Sequence, residues 1–190
     1  LTNTINDIDR QYKFDNIEVV PDARQFLTIN RFSKYKPDND KVSFYFHGVG
    51  TGKTITSLLT AFYFLQKKDE CAGPYALEDG SWTKTYNILI IAPQGLFKSS
   101  FMSDLDRIGV YTHSYSEEEK NGIKIERQYG EIRKSDNNSY KIQFIGIDFN
   151  ELYGKENIFI FENNNENIDF VIIDEAHRLI TNKLKFSDSG

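Results

Sequence analysis

The sequence predicts an α/β fold, a doubly wound and mainly parallel sheet with helices on both faces. Three observations carry that expectation. Short apolar runs at 42–46, 87–92, 142–147 and 170–173 alternate with stretches of helical spacing. A Gly-rich turn links the first run to a helix, and an acidic tetrapeptide follows the last run directly. Sheets of this kind bind ligands beyond the carboxyl ends of their strands, where both segments fall.

Each element follows from its residues. Residues 1–21 read as a polar lead-in and residues 22–190 as one domain. Ala23, Phe26, Leu27 and, less regularly, Ile29 and Phe32 give 22–34 the spacing of a core-packed helix, with Pro21 at its start and Pro37 past its end. Val42–Phe46 is β-branched and aromatic, a buried strand. A helix from about Lys53 to Lys67 follows the Gly-rich turn. Residues 68–86 hold Gly73-Pro74 and Asp79-Gly80 and read as a loop insertion. Asn87–Ala92 is apolar from Ile88 onward, as inside parallel sheets, and precedes a helix from about Gly95 to Leu105. From 110 to 147 the pattern is strand-like. Ile123, Ile125 and Arg127 alternate with polar residues, 135–139 is a turn and Ile142–Ile147 a buried strand. Glu117-Glu118-Glu119 reads as a solvated helix turn and Glu162–Asn167 as a loop.

Composition bounds the function. The chain has 190 residues, 39% hydrophobic and 27% charged, which suits one soluble domain. Its net charge of -5 leaves no global basic footprint, so any nucleic-acid contact must be local. One cysteine, Cys71, rules out an internal disulfide framework and points to an intracellular protein. No apolar run is long enough to span a bilayer, and the start lacks a signal-peptide pattern. The missing initiator Met and the abrupt end suggest a piece of a longer protein.

The turn reads Phe46-His47-Gly48-Val49-Gly50-Thr51-Gly52-Lys53-Thr54. Glycines there let backbone N–H groups approach an anion, and the next helix aims its N-terminal dipole at it. Lys53 suits the β/γ-phosphates of a nucleotide and the Thr54 hydroxyl suits Mg²⁺. His47 occupies the position where the strict phosphate-loop pattern has glycine. An ordinary Gly-rich turn is the alternative, and the intact Gly-Lys-Thr between strand and helix opposes it. Asp174-Glu175-Ala176-His177 follows a strand, 120 residues after Thr54. Asp174 can reach the same Mg²⁺ and Glu175 can activate water. The alternative is an acidic helix start.

Together these segments resemble motifs I (Walker A) and II (the DEAH box) of superfamily 2 helicases and translocases, where the first loop glycine is often replaced. The likeness spans about 22–180 and implies a RecA-like P-loop NTPase domain, truncated before motif III and lacking its second lobe. It implies that Gly48, Val49, Gly50, Thr51 and Gly52 cradle phosphate and that Lys53 and Thr54 handle phosphate and Mg²⁺. Asp174 would hold Mg²⁺, Glu175 activate water and His177 couple the site to a later motif. Gln25, 27 residues before Gly52, resembles the glutamine that reads adenine. Ile90–Leu96 resembles motif Ia, which places Pro93 and Gln94 near a bound strand. Within the superfamily the chain resembles the Swi/Snf-like branch and its large-DNA-virus relatives, of the poxvirus-type nucleoside triphosphatase I and early transcription factor kind.

The resemblance implies a nucleic-acid-dependent ATPase using ATP and Mg²⁺, with DNA favoured over RNA and contacts mainly to backbone. Its partners would be the second lobe and, in the viral setting, RNA polymerase or other transcription proteins. Its place would then be the host cytoplasm or the virion. Without the second lobe, the piece is expected to bind Mg-ATP weakly and hydrolyse it poorly. Two other readings stand beside this one: the motor subunit of a restriction-modification enzyme, and a regulatory ATP-binding domain. Outside the motifs, Trp82 reads as packing rather than base stacking. Lys98, Lys124, Arg127, Arg133 and Lys134 read as solvated charges, and His113 as a surface or partly buried histidine.

Overall fold

The computed structural model of the chain describes residues 22–33, 50–72, 85–120, 122–133, 139–152 and 167–177. The lead-in 1–21, the strand expected at 42–46, His47, Gly48, Val49, Trp82, Lys134 and most of the 162–167 loop lie outside the described residues.

Helix α1 (Ala23–Ser33) begins with a reciprocal cap. Asp22 Oδ1 accepts from the amides of Arg24 and Gln25 at 2.8 and 2.9 Å, and Gln25 Oε1 accepts from the Asp22 amide at 2.9 Å. The apolar stripe expected here is only partly the packing face. Ala23 and Leu27 are exposed, while Gln25 is buried and Ile29 packs on the core. The face is set by the contact of α1 with α2, which turns Gln25 inward.

Helix α2 (Lys53–Ala72) runs five residues past the expected end, so the insertion begins later than residue 68. Ile55, Leu58, Leu59, Phe62 and Leu65 are buried at helical spacing against the sheet. Phe62 meets Phe144 edge to face, ring centroids 6.2 Å apart.

Among the described residues the sheet has five strands in the order β2-β3-β4-β1-β5: β1 (Thr85–Ala92), β2 (Tyr111–Lys120), β3 (Ile123–Arg133), β4 (Ser139–Asp148) and β5 (Phe170–Ile173). β1 lies between β4 and β5 and runs parallel to both, while β2–β3 and β3–β4 are antiparallel. Among the described residues the sheet is therefore mixed and only partly parallel. Only residues 134–138 join β3 to β4, far short of the dozen or so residues a parallel return needs. Glu117-Glu118-Glu119 lies in β2 and not in a helix. Cross-strand partners hold it extended, with Glu117 at 2.9 Å from Lys124 and Glu118 at 2.7 Å from Arg127.

After β1 the chain forms a π-helical turn at Phe97–Phe101, which continues into α3 (Met102–Ile108). Gly109, at φ 87°, ends α3: its amide bonds Asp106 O and the Val110 amide bonds Leu105 O, each at 3.0 Å. One sheet face packs Tyr86, Ile88, Ile90, Ile142 and Phe144 under α2 and α3. The other packs Leu89, Ile123, Ile125, Ile145 and Ile147. Among the described residues, that second face carries only the one-turn α4 (Phe149–Leu152), through Leu152. Among them too, no helix is long and apolar enough to cross a membrane.

Candidate nucleotide site

The site forms where α2 starts and the parallel strands end. β1 and β5 finish side by side, Ile91 opposite Ile173. The ladder extends one residue further, because the Asp174 amide bonds Ile91 O at 2.9 Å. The acidic tetrapeptide is thereby held at the carboxyl edge of the sheet. Gly50 and Gly52 adopt φ of 75° and 73°, a left-handed backbone open to glycine at no steric cost. An ideal Cβ on Gly50 meets nothing within 4 Å, so there is open space beside Gly50. Lys53 opens the 20-residue α2 directly after Gly52, so the positive end of the helix dipole falls at this turn.

Lys53 Nζ donates to Glu175 Oε1 at 2.6 Å, and His177 Nδ1 lies 3.2 Å from Glu175 Oε2. Glu175 itself has φ 54°, an uncommon backbone for a residue with a side chain. Its amide donates to Asp174 Oδ1 at 3.0 Å. The hydrogen bond that Lys53 donates to Glu175 raises its pKa above the ordinary range, against the opposing effect of burial, with the charges of Glu175 and Asp174 adding to the rise. Burial pushes the Asp174 carboxyl up, the Lys53 charge opposes this, and the Glu175 charge adds to it. A half-buried carboxyl of this kind is stabilised as an anion by a cation placed against it.

The residues present fit Mg-ATP. Thr54, half-buried beside Lys53, and Asp174 supply hard oxygen donors, which suit Mg²⁺ together with substrate phosphates. Among the described residues no group of three or more His, Cys, Asp or Glu could hold a metal unaided. Bound there, Mg²⁺ would neutralise charge developing on the phosphates.

The structure thus brings Lys53, Asp174, Glu175 and His177 together. It also brings Gln25 to Thr51 and Gly52, whose carbonyls lie 3.4 Å from Gln25 Nε2. Pro93 and Gln94 form the turn after β1, with Leu96 N bonded to Pro93 O at 3.1 Å and Gly95 at φ 77°. Gln94 is exposed and Pro93 half-buried. This turn shares the sheet edge with Asp174, and no described contact joins it to Lys53 or Glu175. The contact of Gln25 with the loop was not expected, although Asp22-x-x-Gln25 is a visible capping signature.

The family model described as "Type III restriction enzyme, res subunit" matches residues 8–187. No curated protein and no solved structure matches the chain. The family implies the RecA-like fold, use of ATP and Mg²⁺ and binding of nucleic acid. The chain therefore belongs to the type III restriction enzyme res-subunit family, as the ATP-binding domain of a superfamily 2 ATPase of helicase or translocase type.

Proposed function

We propose that this chain is the nucleotide-binding lobe of a motor that hydrolyses ATP to move along nucleic acid, with DNA its preferred track. The observation that supports this most is the pairing of Lys53 with Glu175 at a helix start, directly after the left-handed glycines Gly50 and Gly52. A purely structural ATP site has no need of a carboxylate poised to activate water.

In this reading the backbone of Gly50, Thr51 and Gly52, with Gly48 and Val49, cradles the phosphates. Lys53 leaves Glu175 and binds the β/γ-phosphates, which frees the carboxylate. Glu175 then takes a proton from water as the water oxygen bonds the γ-phosphorus and the bond to the ADP oxygen breaks. Thr54 and Asp174 hold Mg²⁺. His177, already against Glu175, relays the state of the site to the rest of the motor. Pro93 and Gln94 meet the backbone of the strand. A second lobe of the same protein supplies the arginine such sites use, a contribution of several orders of magnitude in rate.

Two settings have separate support. The family description favours the motor of a restriction-modification enzyme. The residues around 46–54 and 174–180 favour a viral, transcription-linked ATPase working beside RNA polymerase. The test is steady-state ATPase of the full-length protein alone and with single-stranded DNA, duplex DNA or RNA, with Lys53→Ala as blank. Stimulation by DNA is expected. Hydrolysis equal with and without every polymer would overturn the motor reading.

A further inference from the structure

We propose that Gln25 braces the phosphate loop rather than reading the base, so that the site accepts nucleoside triphosphates whatever their base. This rests on the nucleotide-site reading above and concerns only which triphosphates enter.

A carboxamide reads an adenine edge by offering both its ends to the ligand, one accepting and one donating. Both ends of Gln25 face main chain. Oε1 accepts from the Asp22 amide at 2.9 Å, completing the cap of α1. Nε2 faces the carbonyls of Thr51 and Gly52, each at 3.4 Å. The residue is only 9% exposed, so a base has little of it to meet. The loop also packs directly on the carboxamide. An ideal Cβ on Gly52 would lie 2.5 Å from Gln25 Nε2, and Gly52 holds φ +73° there. One side chain therefore ties the first turn of α1 to the residue immediately before Lys53. It acts on the part of the site that meets phosphates, which every nucleoside triphosphate shares. Gln25 is in this sense a positioning residue, and its removal loosens the loop equally for all four bases.

The experiment is calorimetric titration of the full-length protein with Mg-ATP, Mg-GTP, Mg-CTP and Mg-UTP. Wild type is compared with Gln25→Ala and Gln25→Glu, with Lys53→Ala as blank. Gln25→Glu keeps the oxygen that caps α1 and removes the donor to the loop, so it separates bracing from loss of the helix start. Wild type is expected to bind the four within about threefold of one another. Both variants should weaken all four by about three- to tenfold, the size of a hydrogen bond or two, leaving the ratios unchanged. A wild-type preference for ATP of about tenfold or more overturns the inference and makes Gln25 or another group a base reader. Absence of any binding above the Lys53→Ala blank overturns the nucleotide site itself, and this inference with it.

Discussion

Lys53 Nζ and Glu175 Oε1 lie 2.6 Å apart across 122 residues of sequence, and the other Glu175 oxygen lies 3.2 Å from His177. In the proposed reading this pairing holds the cation proposed for phosphate against the carboxylate proposed for water, and an anion that competes for Lys53 would free both. Both side chains remain about 30% exposed, so the pair adds little to folding stability, about 0–1 kcal/mol.

Lys53→Ala should therefore leave the fold nearly unchanged and weaken Mg-ATP binding by about ten- to a hundredfold, the worth of a hydrogen bond to a charged group. Calorimetry and a urea melt on the same sample check both halves. Unaltered affinity would remove Lys53 from the site.

Asp174→Asn retains an oxygen for the Glu175 amide and removes the charge proposed to meet Mg²⁺. Hydrolysis should fall by about a hundredfold or more, and its dependence on Mg²⁺ concentration should move to higher concentration. An unshifted Mg²⁺ titration would contradict the role given to Asp174.

The β2–β3 hairpin predicts a pH effect of its own. The Lys124 hydrogen bond, and then that of Tyr115, hold the Glu117 carboxyl below its ordinary 4.5. A lowered carboxyl contributes stability above its unfolded value and loses it as pH falls through the lower folded value. Glu117→Gln should thus melt earlier than wild type at neutral pH, with the gap closing as pH drops below 4.5. Because the carboxylate is exposed to solvent, the gap should also shrink near about 1 M salt. A gap constant from neutral to acid pH would refute this.

Gly146, in β4, lies against the buried ring of Phe97, and a Cβ there would overlap the ring. Gly146→Ala should cost about 1–3 kcal/mol, read as a lower urea midpoint. Adding Phe97→Leu should recover part of it. Phe97 begins the π-turn just after Pro93-Gln94-Gly95, so the same change should also disturb that turn.

The residues proposed for the site stood out in the sequence more plainly than the sheet did. Lys53, Asp174 and Glu175 were singled out because a phosphate loop and an acidic strand end each need fixed residue types next to an apolar run, and the structure brings the three together. Strands β1 and β4 were readable as apolar runs buried on both faces, and β5 as a short apolar run, although Val171 and Ile173 are exposed. β2 was not. Its residues are exposed at nearly every position, so no period of two survives, and its extended form depends on partners in β3. The extra turn of α2 was missed because 68–72 is polar, while the residues that end helices are Gly73 and Pro74. Gln25 was singled out for a resemblance, yet its position follows from a cap and from loop contacts that no apolar pattern announces.

Lys53, Thr54, Asp174 and Glu175 are together proposed to hold and hydrolyse Mg-ATP. The most direct measurement is single-turnover hydrolysis by the full-length protein and its Glu175→Gln variant, with bound ATP followed in the same samples. The variant should bind Mg-ATP at least as well as wild type, because Lys53 is released from a charged partner. Its hydrolysis should fall by about two to four orders of magnitude, the loss of a general base. A variant that hydrolyses as fast as wild type would remove Glu175 from the reaction.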